Sequence, residues 1–314
     1  MEVGSPKWSP YIRHPRHDRV ENVKVRNNTI PTRTSACLYT TLMGPHLFLV
    51  PRDYFPHRFE HNFEDAHFEH DRIDAVAMER LTSSPHVINV FGFCGHSVLT
   101  EYADGSRVGE LADKSKKKPL ARLKVARDIA NGLADVHGID GDGNATFVHL
   151  DVNLANVVSV GGTLKLNDFN IGIIRRWNTT SNTPCGFPAQ YPNPQWRSPE
   201  EARNEQNLTE KVDVFSMGHI FFRLICGHEP WNKLEPGGKP SKEEINEKVK
   251  RGVLPFIPED IWSTTDEEVI AIRESMLRCY TFDPVLRPSA RDIARQLQAE
   301  LDRLTALDYK PLTE

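Results

Sequence analysis

The stretch FVHLDVNLANVVSVGGTLKLNDFN, residues 147–170, places Asp151, Asn156 and Asp168 on two short loops flanking a Gly161-Gly162 turn. A Gly-Gly pair between β-like runs marks a tight hairpin, so three metal-capable side chains converge. Phosphoryl transfer asks little covalent chemistry of a protein but does need positioned groups. One carboxylate accepts the attacking hydroxyl's proton, and an amide plus a second carboxylate hold magnesium on the phosphates. This spacing supplies that set. Each residue also has an ordinary reading: Asp151 and Asn156 as turn residues bonding their own backbone, Asp168 as a cap.

Outward from this stretch, the chain divides into two kinds of pattern. Downstream, DVFSMGHIFFRLIC (residues 213–226) is apolar on nearly every side and ends at Gly227, which predicts a buried helix closed by a glycine. Ser241-x-x-Glu244 and Thr264-x-x-Glu267 read as capping boxes of two further helices, and Ile293, Leu297, Leu301 and Leu304 stripe a last one. Upstream, Leu123, Ala126, Ile129, Ala130, Leu133 and Val136 trace one face of a long helix, preceded by a lysine-rich loop ending near Pro119. Farther upstream, VINVFGFC and SVLTEY predict two antiparallel strands joined at Gly95-His96, and Asp74, Met78 and Leu81 predict a helix over 67–83. SACLYTTL and HLFLV read as short strands broken by Pro45 and Pro51. Residues 1–30, rich in Pro, His, Arg and Asn, read as a mobile tail.

Composition agrees with a folded chain. Of 314 residues 39% are apolar and 26% charged, enough to bury a sizeable core, and a net charge of -4 gives no reason to expect nucleic acid. Cys37, Cys94, Cys185, Cys226 and Cys279 form no C-x-x-C pair, so neither a zinc knuckle nor a disulfide framework is expected, and a reducing cytoplasm fits. The longest apolar stretch, Ile220 to Cys226, is interrupted by Arg223 and too short for a bilayer, so no membrane partner is expected. His57, His61, His67 and His70 are irregularly spaced and read as surface histidines rather than as a metal site.

His149-Leu150-Asp151 with Asn156 five residues on, then Asp168-Phe169-Asn170, resembles the catalytic loop H-R-D-x-x-x-x-N and the magnesium loop D-F-G of protein kinases. These two motifs alone would fit small-molecule kinases of the aminoglycoside phosphotransferase type nearly as well. Trp196-Arg197-Ser198-Pro199-Glu200 resembles the end of the protein-kinase activation segment, and Asp213 to Gly218 resembles the D-x-x-S-x-G helix beneath it. Small-molecule kinases lack both. LRCYTFDPVLRPSARDI resembles the segment whose arginine, here Arg287, pairs with the activation-segment glutamate, here Glu200. ERLTSSPHVINVFGFC with VLTEYADGS resembles the small-lobe helix and hinge.

The resemblance covers roughly residues 70–300 and implies an α+β, bilobal protein kinase fold: a small β-rich lobe with one helix (31–103), a larger mainly helical lobe (104–307) and a C-terminal tail (308–314). It implies ATP and Mg2+ as cofactors, Asp151 as base, and Asn156 and Asp168 as metal ligands. Thr100 would be the gatekeeper, with Glu101 and Ala103 facing adenine and Asn153 near the nucleotide. Met78, Val90, His149 and Phe169 would stack between the lobes, with Asp213 beneath them. A protein is the implied partner, either as a Ser/Thr substrate or, for a pseudokinase scaffold, as a binding partner.

Several positions depart from the family. Pro31, Arg33 and Ala36 stand where phosphate-loop glycines are expected, which hinders close backbone approach. Near the V-A-I-K position only Arg52, beside Pro51, offers a cation, and Asp74 stands for the lysine's glutamate partner. Residues 31–65 are read either as a divergent lobe or as sequence the gene does not encode. Leu150 replaces the arginine that reads activation-segment phosphorylation, which argues against control through Thr179, Thr180, Ser181 or Thr183. Asn153 replaces the lysine two residues after the base, and Asn170 replaces the last glycine of D-F-G.

Overall fold

The computed structural model describes residues 47–50, 65–94, 97–103, 119–190 and 194–308. In the first lobe, strand β1 (Leu47–Val50), helix α1 (Asp65–Arg80) and strands β2 (Val90–Cys94) and β3 (Ser97–Glu101) follow in order. The sheet runs β1–β3–β2 with both pairings antiparallel, and the β2–β3 register shifts between Val90 and Gly92. Asp74, Met78 and Leu81 are all buried, as expected of residues sharing one helix face at that spacing.

The second lobe comprises α2 (Pro119–His137), β4 (Phe147–Val148), β5 (Val157–Val160), β6 (Thr163–Leu166), β7 (Ile173–Ile174), β8 (Trp177–Asn178), β9 (Thr183–Pro184), α3 (Pro199–Ala202), α4 (Lys211–Cys226), α5 (Lys242–Lys250), α6 (Glu259–Trp262), α7 (Glu267–Cys279) and α8 (Ala290–Asp308). Helix α4 is its axis, buried from Val212 through Phe222 and again at Leu224 and Ile225. An all-round apolar helix has no solvent face, so α2 and α7 pack against it, and α8 packs against both of those. Gly227 ends α4 with φ 77°, where a side chain would be strained, and its N–H closes on Arg223 O at 3.1 Å.

The lobes are stitched by backbone. Leu166 N–H donates to His86 O, and Ile88 N–H donates to Leu166 O, each at 2.9 Å, so β6 continues into the segment leading to β2. Ser84 Oγ adds a bond to Asp135 of α2 at 2.6 Å.

The capping box at Ser241 is present, with Glu244 returning the bond. The one expected at Thr264 is not. Helix α7 begins after Asp266, and the Thr264 hydroxyl accepts the Asp266 N–H at 3.1 Å. The threonine has formed a local turn two residues early, the alternative that Ser and Thr side chains offer the backbone. The tails, SACLYTTL, Pro31, Arg33, Ala36, Pro51, Arg52, Gly95-His96 and the lysine-rich loop lie outside the described residues.

Candidate active site

The site grows from a strained turn. After β4, Leu150 adopts φ 62°, a left-handed conformation that costs a branched residue about 1–2 kcal/mol. Asp213, buried at the start of α4, holds it there. Its Oδ1 accepts the Leu150 N–H at 2.8 Å, and its Oδ2 accepts the His149 N–H at 2.7 Å and His137 Nε2 at 3.0 Å. On the other side Arg197 donates to Leu150 O at 2.6 Å. Hydrogen bonds to charged groups are worth about 1.5–3 kcal/mol each, so these contacts exceed the strain. The turn is imposed by α4 and by residue 197, not by its own sequence.

The turn presents Asp151, and two amides orient it. Asn153 Nδ2 donates to Asp151 Oδ1 and Asn156 Nδ2 to Oδ2, both at 2.8 Å. Asn153 also caps the short helical turn 154–156 by accepting the Ala155 N–H at 2.8 Å. Its amide nitrogen and oxygen are thus both engaged within the loop.

Strands β5 and β6 pair in register from Val157–Leu166 to Val160–Thr163 around the Gly161-Gly162 turn. The ladder extends one step at its open end, where Asn167 N–H donates to Asn156 O at 2.9 Å. Asn156 and Asp168 therefore leave the hairpin side by side. Asp168 sits at φ 63°, and the next N–H, of Phe169, donates to Asp74 Oδ1 at 2.7 Å. The Asp74 carboxylate from α1 thus grips the loop that carries Asp168. Phe169 is fully buried, its ring 4.9 Å from that of His149 and 6.1 Å from that of Phe147. His149 in turn receives the Asp151 N–H on Nδ1 at 3.3 Å and lies 3.2 Å from Asn167 O through Nε2. Met78, Val90 and Phe169 belong to one apolar core that crosses between the lobes.

Above this end of the hairpin lies a cavity of about 210 Å³ lined by Ile88, Thr100, Glu101, Tyr102, Ala103, Val158 and Asn167. Glu101 turns its carboxylate aside to the Asn89 N–H at 2.8 Å and to the Lys165 ammonium. Its own N–H donates to Asn89 O. Apolar Ile88, Ala103 and Val158 beside connecting backbone suit a flat heterocycle. The Asn156 amide oxygen and the Asp168 carboxylate are hard donors of the kind magnesium takes. The residues present therefore fit a magnesium-bound nucleotide.

Around the site the frame is densely hydrogen-bonded. Arg287, wholly buried, meets Glu200 through Nη1–Oε1 at 2.6 Å and Nη2–Oε2 at 3.1 Å, and donates further to Thr281 O, Lys211 O and Phe282 O. Ser198 caps α3 in a reciprocal box with Glu201. Burial pushes the Glu201 carboxyl above its usual range, outweighing the pull of the Arg197 guanidinium at 3.3 Å. Ser216 of α4 bonds Trp196 O at 2.7 Å.

Val158 and Asn167 escaped the sequence reading. The hairpin pairing could have found them, since residues two apart on one strand, or opposite each other across two, share a face. His137 and Arg175 carried no signal at all. His57 and His61 lie outside the described residues, and no cluster of three or more His, Cys, Asp or Glu forms among those described. No helix among the described residues is long and apolar enough to cross a membrane.

The protein kinase domain model matches residues 61–297 of this chain. Among curated proteins, the chain is 28% identical over 208 residues to the mitogen-activated protein kinase kinase kinase MCK1 of Pyricularia oryzae, covering 64% of this chain and 12% of that one. It is 26% identical over 219 residues to the dual specificity protein kinase pyk3 of Dictyostelium discoideum (68% and 14%). It is 27% identical over 237 residues to the serine/threonine-protein kinase CTR1 of Arabidopsis thaliana (72% and 26%). The matched part is thus about a quarter or less of the length of each of these relatives.

Proposed function

Because this chain belongs to the protein kinase domain family, we propose that it moves the γ-phosphate of ATP to a protein hydroxyl of Ser or Thr, using Asp151, Asn156 and Asp168. One observation carries the reading. The Asp151 carboxylate is held by the amides of Asn153 and Asn156, and Asn156 itself leaves the open end of one hairpin beside Asp168, beneath the connecting-strand cavity. Asp151 accepts the proton of the acceptor hydroxyl, and the amides of Asn153 and Asn156 keep its oxygens aimed. Asn156 and Asp168 would hold magnesium, which when bound would neutralise charge on the phosphates. Ile88, Thr100, Glu101, Ala103 and Val158 seat the base. Asp74, through the Phe169 N–H, keeps the Asp168 loop turned toward the cleft. The phosphate-loop and lysine positions lie outside the described residues.

A second reading, a scaffold that keeps the fold without turnover, has its own support. The loop 151–156 contains no cation, and Asn153, at the lysine position, is tied to Asp151 and Ala155. A missing phosphate contact costs about 3 kcal/mol of transition-state stabilisation.

Magnesium-dependent ATP binding and transfer of labelled phosphate, compared between wild type and Asp151→Asn, separate the two. Turnover lowered by about 10²–10⁴-fold in the variant, with nucleotide binding kept, is the expected result. Absence of binding at millimolar ATP and magnesium would leave only the scaffold.

A further inference from the structure

The position before Asp151, read as the reader of a phosphate, is Leu150, and it lies in an apolar cluster with Val148, Phe187, Leu208 and Val212. Nothing in that cluster could hold an anion. Yet Phe187, in the segment that follows Asp168, packs onto this cluster, so something else draws the segment in. The side chain of Arg175 is 5% exposed, and its guanidinium bonds to three separate parts of the chain. Nε donates to Cys185 O at 2.8 Å, Nη2 to Pro184 O at 3.2 Å, and Nη1 to both Ala145 O and Glu210 Oε2 at 2.9 Å.

The backbone repeats the pattern. Arg175 N–H donates to Thr146 O and Cys185 N–H to Arg176 O, both at 2.7 Å. Arg175 thus closes the base of the β8–β9 hairpin, whose Thr179, Thr180, Ser181 and Thr183 are all exposed. Two residues past Cys185, Phe187 exchanges backbone bonds with Leu208 and packs on the Leu150 cluster. Leu150 is the turn that aims Asp151.

We propose that Arg175 is a positioning residue: it orders the segment 175–187 by joining the residues that lead into β4, the hairpin base and Glu210, and so does without a phosphate the task for which a phosphorylated side chain would otherwise be needed. The chemistry requires arginine. A planar fork reaches two adjacent carbonyls, a third carbonyl and a carboxylate together, whereas an ammonium offers one point charge. Its effect on turnover rests on the phosphotransferase reading; its effect on order does not.

The test uses the full chain with four variants: Arg175→Gln, Arg175→Lys, Glu210→Gln, and the joint replacement of Thr179, Thr180, Ser181 and Thr183 by Ala. Two quantities are read: amide hydrogen exchange over residues 177–187, and KM for β-casein as acceptor beside KM for ATP. In Arg175→Gln, exchange over 177–187 should quicken about tenfold or more while the α4 amides keep their protection. KM for casein should rise about tenfold with KM for ATP within about twofold. Arg175→Lys should recover less than half of either loss, because it restores the ion pair but not the fork. The fourfold Ala variant should match wild type in both readings. Unchanged exchange in Arg175→Gln, full rescue by Lys, or lost protection in the fourfold variant each overturns the proposal. If Arg175→Gln does not fold, Glu210→Gln carries the test, with exchange about threefold faster expected and wild-type exchange refuting. If wild type phosphorylates no casein, the functional reading fails and the exchange data still decide on Arg175.

Discussion

Replacing Glu200 by Gln keeps volume and shape but removes one of two charges sealed from water, since Glu200 is 2% and Arg287 0% exposed. Of the two parallel bonds at 2.6 and 3.1 Å, an amide can accept only one, and its NH₂ would face a guanidinium donor. Removing one partner of a buried pair costs about 3–5 kcal/mol, because the surviving charge is left uncompensated. Here the carbonyls of Thr281, Lys211 and Phe282 still solvate the guanidinium, which pulls the expected cost to the lower end, about 3 kcal/mol. For a chain of this size that corresponds to a melting temperature lower by roughly 6–12 °C. Urea unfolding followed by tryptophan fluorescence, since Trp231 and Trp196 lie in this lobe, gives the free energy directly. Adding Arg287→Met removes the stranded charge, so the double variant should be more stable than the two single losses added together. A Glu200→Gln protein within about 1 kcal/mol of wild type, with an unchanged denaturant slope, would show that the pair is not shielded as the geometry requires.

His219, enclosed by Trp196, Phe215 and Tyr280, is pushed down by burial to a pKa of about 3 from 6.5. Below pH 6.5 the unfolded chain gains a proton that the folded one refuses, so stability falls as pH drops toward 3, by about 1.4 kcal/mol per unit. His219→Phe should flatten that slope in urea midpoints between pH 7 and 5, and parallel curves would disprove it. Gly132→Ala places a Cβ 2.7 Å from His86 O and 3.2 Å from Leu166 Cγ, at the lobe junction. Overpacking of about 1–3 kcal/mol outweighs the roughly 1 kcal/mol that alanine gains in a helix, so melting should drop; a rise would refute the contact. Asp213→Asn leaves one oxygen for three donors, costing about 3 kcal/mol, and should lower turnover beyond what the folded fraction explains, as activity corrected for circular dichroism would reveal.

Much of this molecule was written locally. A helix that is apolar on every side, a glycine that stops it, a Gly-Gly turn between two strands and the order of the motifs depend on neighbours in sequence, and short-range sterics and burial act on them directly. The fold class could be read from them, as could the positions of Asp151, Asn156 and Asp168 beside the β5–β6 hairpin. The Thr264 box failed for an equally local reason, because two turn geometries compete within three residues. Other features depended on groups far apart in the chain. That Leu150 is left-handed depends on a carboxylate 63 residues away. That Asn153 serves Asp151 depends on a rotamer, and that Val158 and Asn167 line a cavity depends on which face the hairpin turns to the hinge. Arg175 carries no signal in the sequence, and only when residues 145, 184, 185 and 210 are folded around it does it become a cation with four partners. Charge, volume and periodicity are properties of a residue and its neighbours, whereas hydrogen-bond partnership across a core exists only once distant backbone has been brought within 3 Å.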